Sequence, residues 1–597
     1  MHLHDLTSIT SQVLVRNLPR RMHSCLSGHT GDVNCISLSQ DGAVLISGER
    51  VKPGAFASVN IWGVDQGELV HSLKLHKTVI ESVALSPMSK YAASLGGVED
   101  GNQLVIWDVV SGNAITSIQA HSEPVSAISF YRKSDIDLIT VGKNHIRHWT
   151  FYETTKKVSF EQVSTGGSLK RTFTTISIDP QDTFGYSGTS TGDFVEIDLS
   201  LNTQRRIGPL KSSSNSHTFG NGITCSQLIP GGGDLIIGYG DGHLVKVALN
   251  NFRVTNQETQ LSGAISSITF TSDGTHFFAC TNCSNVYWVE TDSMRSEIRA
   301  TSHSGGPILS LAFPHNSCDV LASAGGCEIR LWNAKTKQEI LAIQVPKITC
   351  NCIAFMRDGK SIISGWEDGK IRAFTPQSGK LIYAINDAHK DGVTCITAFS
   401  DCSRILSGGM HGEIRCWKIS KSYQQMEKSL KEHKSRVSQI QINESQSSVR
   451  AVSASFDGSC IVWDVTAGVR LLCVFEKTNF RSVAYCSDFS QFVTIGGNHI
   501  VYWDDAYATG GGGQPIRTIE EHETCLDLTT LCMSADDHFV VGTTSGTVRM
   551  YHYDQGECVC EGKYLGAPIS ACIISPRSEN LIVTGHGDGS ISFWATC

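Results

Sequence analysis

The chain has 597 residues with a formal net charge of -8, from 49 basic and 57 acidic side chains, and at roughly 100–200 residues per domain it can hold several domains or one repeat array. Its 56 glycines, 14 prolines and 18% charged residues make a turn-rich composition that excludes disorder, and the small acidic excess excludes an overall basic field for nucleic acid or anionic lipid. Twenty-one cysteines without framework spacing point to buried thiols in a reducing compartment.

Near the N-terminus Arg16, Arg20 and Arg21 follow a short apolar stretch, the reverse of a signal peptide's order. No apolar run reaches the ~18 residues that span a bilayer, so an intracellular, soluble protein is expected. SQVLVRNL (11–18) and MHSCLSGH (22–29) read as the later strands of a first unit that lacks at least its innermost strand.

A short strand ending in an aromatic then recurs as VNIW (Trp62), LVIW (Trp107), IRHW (Trp149), VYW (Trp288), IRLW (Trp332) and IRAF (Phe374). It continues as IRCW (Trp417), IVW (Trp463), IVYW (Trp503), VRMY (Tyr551) and ISFW (Trp594), with weaker copies at 194–199 and 243–249. The mean step is roughly 44 residues, within the ~40–45 of a WD-type propeller blade. The segments between have strand length and alternation, and none has helical length and period. Thirteen copies exceed the ~4–8 blades of one ring. The expected fold class is all-β, two WD40-type seven-bladed β-propellers in tandem with the first blade incomplete. The linker is expected near 291–306, giving propellers over 1–297 and 298–597.

The best unit opens at His433 and continues as SASFDGSCIVWDV, placing Ser453, Asp457 and Trp463 at steps of four and six. These spacings resemble the WD-repeat structural tetrad, in which a turn Asp accepts from the His, the His meets a Ser, and the Ser meets the Trp indole. A charged Asp is tolerable there because hydrogen bonds satisfy it. Other units are partial: His389, Ser407 and Trp417 have His411 where Asp is expected, Ser364 and Asp368 precede Phe374, and Thr584 and Asp588 precede Trp594 without a His in the usual place.

Possible enzyme motifs fit hairpin turns better. GTSTG (188–192) matches GxSxG, but a strand follows instead of the helix of a nucleophile elbow. Lys360-Ser361 lacks the first Gly of a phosphate loop, and the Gly run 510–513 lacks a Lys and a helix. Cys280 and Cys283 form a lone CxxC without a second metal-binding pair. His29, His76, His121, His389, His433 and His522 recur at one point of the repeat, as blade histidines. No catalytic residue, cofactor or metal site is expected.

Loops longer than the minimal blade lie at 50–58, 150–173, 205–222, 418–436 and 505–515, and loops on a rigid scaffold are where binding residues sit. The stretch 418–436 concentrates Lys418, Lys421, Lys428, Lys431, Lys434 and Arg436, the candidates for contact with an acidic partner. Met426 and Leu430 allow a short helix there; the other reading is a plain solvated loop.

MRDGKSIIS with DGKIRAF (within 355–396), SLKEHKSRVS (429–438), SASFDGSCIVWDV (453–465) and SLGGVEDGNQLVIWDV (94–109) resemble the cilia- and flagella-associated protein 52 family of double WD propellers. The resemblance covers nearly the whole chain. It implies a non-catalytic scaffold of motile axonemes, a microtubule inner protein on the B-tubule wall near the inner junction, in contact with tubulin and neighbouring inner proteins. The implied location is cytoplasm, cytoskeleton and cilium or flagellum axoneme, without nucleic acid, membrane or small-molecule partners. The family has further strands before the first one read here, so either this N-terminus is short or its first ring closes differently. It supplies no partner-binding side chains by motif. Two other functions share the fold: a generic WD adaptor, such as a ubiquitin ligase substrate receptor, and an actin-disassembly cofactor with two propellers.

Overall fold

The computed structural model describes residues 4–9, 12–17, 22–166, 170–208, 221–231, 233–271, 273–301, 303, 306–315, 317–420, 423–444, 449–486, 489–505, 514–521, 527–534, 538–564, 567–576 and 581–595. Among the described residues the structure is strand and turn, with one 3-10 turn at Val98–Asp100 and no helix long and apolar enough to cross a membrane.

The chain divides into two compact units, Met1–Thr301 and Ser302–Cys597. In the first, a three-stranded sheet (His4–Ile9, Gln12–Asn17, Met22–Ser27) is followed by six four-stranded sheets, the last completed by Ser296–Thr301. In the second, six four-stranded sheets starting at Ile308–Ala312 are followed by a three-stranded one ending at Ile591–Ala595. Every sheet is an antiparallel meander in chain order, so each unit is a propeller of seven sheets. In the second unit Ile308–Ala312 lies against Ile569–Ile574 and closes the ring.

The first sheet is incomplete in the expected way. His4–Ile9 lies against Asp32–Leu38 as the second strand Val44–Arg50 lies against Ile80–Leu85, and Met22–Ser27 leads into the His29 turn as outer strands do. Its strands are thus second, third and outer, and no first strand stands inside them among the described residues.

Burial explains the pattern of each blade. Second strands such as Tyr91–Gly96 and third strands such as Ser459–Asp464 are covered on both faces by neighbouring sheets, so they read as unbroken apolar and small residues. Outer strands such as Lys157–Gln162 face solvent and are polar. The apolar clusters lie between adjacent sheets; one joins Leu406, Cys416 and Leu430 of one blade to Ile440, Ile461 and Trp463 of the next. Small residues make that approach possible. A Cβ on Gly408 would stand 2.9 Å from Val437 Cβ of the next blade.

A bulge recurs where first and second strands pair, for instance between Cys350 and Cys352, Val393 and Cys395, and Val437 and Gln439. The extra residue is unpaired and its side chain is re-aimed toward the next blade. Asn351 Nδ2 donates to Val393 O at 2.9 Å, Thr394 Oγ1 to Val437 O at 2.7 Å and Ser438 Oγ to Phe480 O at 2.8 Å. Asn34 and Thr224 reach Ile80 O and Ile265 O in the first unit. Sequence spacing gave no sign of this inter-blade latch.

The helix allowed at 418–436 is not formed. Gln424–Lys431 is the outer strand of its blade, paired with Glu413–Ile419 in a register that sets Met426 opposite Trp417 and Leu430 opposite Ile414. Leu430 is buried against the next blade and Met426 is exposed, because ladder bonding to an existing sheet outweighs local helix spacing.

Candidate functional site

The four residues His433, Ser453, Asp457 and Trp463 come together between the loop before one blade and its second and third strands. His433 Nε2 lies 2.7 Å from Ser453 Oγ, and Trp463 Nε1 donates to the same oxygen at 2.8 Å. His433 Nδ1 meets Ser459 Oγ at 2.7 Å and is 3.8 Å from Asp457 Oδ1, so the expected direct His-to-Asp bond is replaced by a relay through Ser459. Ser459 donates its hydroxyl to Asp457 Oδ1, and Asp457 Oδ2 accepts from Lys434 N at 2.6 Å.

Donor inventory sets the tautomer. Ser459 spends its one proton on Asp457, so Nδ1 of His433 carries the hydrogen and Nε2 accepts from Ser453. Every hydrogen along Trp463, Ser453, His433 and Ser459 then points toward the carboxylate. Burial pushes His433 down to about 4 despite Asp457, keeping the ring neutral. Burial alone would raise Asp457, but the Lys434 N–H and the Ser459 donors hold its carboxyl below its ordinary range.

Related relays recur with the carboxylate in different places. His76 joins Ser94 and Trp107 and contacts Asp100 directly, Nδ1 to Oδ2 at 2.5 Å. In the first unit's blade at His29, the acid is Glu49 at the end of the second strand; it accepts from Thr30 N, Gly31 N and Ser58 N at 2.7–2.8 Å. These bonds, with His29 and the Ser58 hydroxyl, overcome the burial that would raise Glu49 and hold it well below the carboxylate range. His303 is 3.4 Å from Glu328, whose second partner is the buried Arg330 at 2.9 Å. His389 reaches Ser407 at 2.7 Å, while His411 pairs outside with Asp391.

Three of these acids escaped the sequence reading because they do not fall four residues after the Ser: Asp100 follows Ser94 by six, Glu49 follows Ser47 by two and Glu328 follows Ser323 by five. Two partial units also complete themselves differently. Trp366, not Phe374, bonds Ser364, and Asp368 pairs with Arg372. Asp588 accepts from Tyr564 Oη at 3.0 Å and from Ser590, while His586 stands 3.1 Å from Thr584 on the same strand.

The basic candidates do not form one patch. Lys418 is the next-to-last residue of the third strand Glu413–Ile419, and an outer strand of eight residues, roughly 25 Å long, separates it from Lys434. Lys428 Nζ donates to Thr466 O of the next blade at 2.5 Å, and Lys431 Nζ pairs with Glu413 at 3.0 Å. Lys434 is exposed. Arg436 turns inward, over the Phe456 ring, toward the cavity inside the second unit. Lys421, the Gly run 510–513 and His522 lie outside the described residues.

These arrangements hold hydrogens in place; they expose no reacting atom. GTSTG (188–192) is the hairpin turn between Phe184–Gly188 and Phe194–Asp198. Burial pushes the Cys395 and Cys35 thiols up to about 12, so they stay protonated and unreactive. Among the described residues no cluster of three or more His, Cys, Asp or Glu is placed to hold a metal.

The family model for the WD domain, G-beta repeat, matches residues 20–50, 296–333, 379–418, 424–464 and 513–552. The chain is similar to "Cilia- and flagella-associated protein 52" of Chlamydomonas reinhardtii, 37% identical over 580 residues, covering 96% of this chain and 91% of that protein. It is similar to the Homo sapiens protein of the same name, 34% identical over 598 residues, covering 99% of this chain and 93% of that one. A more distant likeness, 24% over 427 residues, is to "WD repeat-containing protein 90" of Xenopus tropicalis, 65% of this chain but 22% of that protein.

Proposed function

The chain belongs to the cilia- and flagella-associated protein 52 family, and from that premise we propose that it is a non-catalytic scaffold of motile cilia or flagella. In this reading it is a microtubule inner protein in the B-tubule of the doublet near the inner junction, bound to tubulin and neighbouring inner proteins. The observation that carries the reading is the similarity to proteins of that name along nearly the whole chain. The site geometry supports the non-catalytic half, because the conspicuous polar side chains are spent on internal hydrogen bonds.

The two propellers, expected over 1–297 and 298–597, serve in this reading as rigid bodies presenting loops to a repeating lattice. Many weak contacts along a lattice add by avidity, so no single deep site is required. The test is fractionation of flagella from the source organism. The protein is expected to remain with salt-washed doublets, and doublets lacking it should assemble yet break more readily under shear. Release with the soluble matrix, or recovery on actin, overturns the proposal.

A further inference from the structure

A cavity of about 1010 Å3 runs down the middle of the second unit, lined by the first strands of its blades. At the end where those strands begin, Arg436 immediately precedes Val437–Asn443 and Arg481 immediately precedes Ser482–Tyr485 on the neighbouring blade. Phe456, in the turn between Arg450–Ser455 and Ser459–Asp464, stands between them. Both guanidinium carbons lie over the Phe456 ring, each 5.4 Å from its centroid. The main chain fixes the trio: Phe456 N donates to Arg436 O at 3.0 Å, and Arg481 N donates to Ile495 O at 2.8 Å.

Two like charges sharing one aromatic ring repel each other, and among the described residues no carboxylate is paired with either. Among the described residues neither Arg436 nor Arg481 has a carboxylate within ion-pair distance, and Arg436 Nε is buried without a hydrogen-bond partner. The adjacent carboxylate, Asp457, is committed to Lys434 N and Ser459. Arginines on third strands of the same unit are matched: Arg330 by Glu328 and Glu339, Arg372 by Asp368, Arg415 by Glu413. The cation pair is left open at a channel mouth on a chain of net charge -8, so the local charge here opposes the average.

We propose that Arg436, Phe456 and Arg481 form a clamp for the carboxylate of an Asp- or Glu-rich peptide segment of a partner protein, held at the mouth of the second propeller's channel. Carboxylates of the segment accept from the two guanidinium groups that flank the Phe456 ring, and the ring holds those groups in place. The clamp is separate from Lys428 and Lys431, and the inference does not rest on a ciliary role.

The test is fluorescence anisotropy of a labelled oligoglutamate peptide with the purified full chain. The wild type is expected to bind with an affinity that falls as salt rises. Arg436→Gln with Arg481→Gln should weaken binding by roughly tenfold or more, whereas Lys335→Gln with Lys380→Gln, two exposed lysines of the same unit, should leave it nearly unchanged. Phe456→Leu keeps both charges and the apolar volume, and should weaken binding as well. Its unfolding midpoint, and that of the arginine variant, should stay within a few degrees of wild type, separating a lost clamp from a lost fold. No binding by the wild type, equal affinity in the arginine and lysine variants, or binding only of a phosphoserine peptide of matched charge overturns the proposal.

Discussion

Ser570 Oγ donates to the main-chain carbonyl of Ile308, a residue 262 positions earlier in the chain. The bond joins the last sheet of the second unit to its first and uses the same bulge side chain that joins successive blades elsewhere, as Thr394 does to Val437. The Ile308 side chain fills the space beside Gly585, where a Cβ would come within 2.4 Å of Ile308 Cγ2. Closure of this ring is therefore a repeat of the ordinary inter-blade contact.

Ser570→Ala should lower the stability of the second unit by about 0.5–1.5 kcal/mol, the net worth of one buried hydrogen bond. Ser438→Ala, which removes the equivalent bond inside the ring, should cost about the same. Gly585→Val should cost more, about 1–3 kcal/mol, because two β-branched side chains then compete for one space. Thermal unfolding of the three variants checks the order; a harmless Gly585→Val would contradict the close packing described.

Asp457→Ala and Asp588→Ala should destabilise by similar amounts, about 1–3 kcal/mol, since each leaves at least one half-buried or buried donor unpaired. The absence of a His in the usual place before Asp588 suggests a weaker site, but Tyr564 Oη and Ser590 supply the bonds instead. Tyr564→Phe should by itself cause part of the loss seen in Asp588→Ala and add little to it in the double variant. Strictly additive losses would show that the two do not interact.

Stability should fall as pH drops below about 6.5. Burial lowers His145, His303, His389, His433 and His586 each to about 4 in the folded chain, while the unfolded chain protonates them near 6.5. Between those values the unfolded state binds more protons, so the stabilisation is full above pH 6.5 and is lost progressively toward pH 4. Glu413, lowered to about 2 by Arg415, Ser429 and Lys431 against its burial, adds a loss of the same sign only below the ordinary Glu range. Unfolding midpoints measured from pH 7.5 to 4.5 should therefore decline before the carboxylates titrate. A flat profile down to pH 5 would refute the assignment of neutral buried histidines.

Reversing Lys421, Lys428 and Lys431 to Glu should weaken retention on doublets in a salt-dependent way if the outer strand of that blade faces an acidic partner. The midpoint should change little, because Lys428 and Lys431 make only surface contacts, to Thr466 O and Glu413. Unaltered retention across a salt series would leave this strand as solvated edge and direct attention to the loop at 50–58.

Most of the fold was legible because a propeller is a one-dimensional object: a period of roughly 44 residues and the aromatic closing most third strands count the blades directly. That the first sheet has three strands among the described residues was legible for the same reason. The stretch 418–436 was misread because charge and i,i+4 spacing are local signals, and an outer strand takes its conformation from the sheet edge it joins.

The sequence alone thus determined the all-β class, the tandem rings and the bonded set His433, Ser453, Asp457 and Trp463, since these follow from spacing within one blade. Only the tertiary structure decided which acid serves the other histidines and which Ser or Thr meets the other indoles, two residues away at Trp366 and fifteen at Trp62. Asp100, Glu49 and Glu328 arrive from different points along their blades, and what selects them is distance to Nδ1 across a turn, not distance in sequence. It likewise decided that bulge residues latch blade to blade and that Arg436 and Arg481 meet over Phe456, because both relations cross from one repeat to the next, where no period within the repeat can record them.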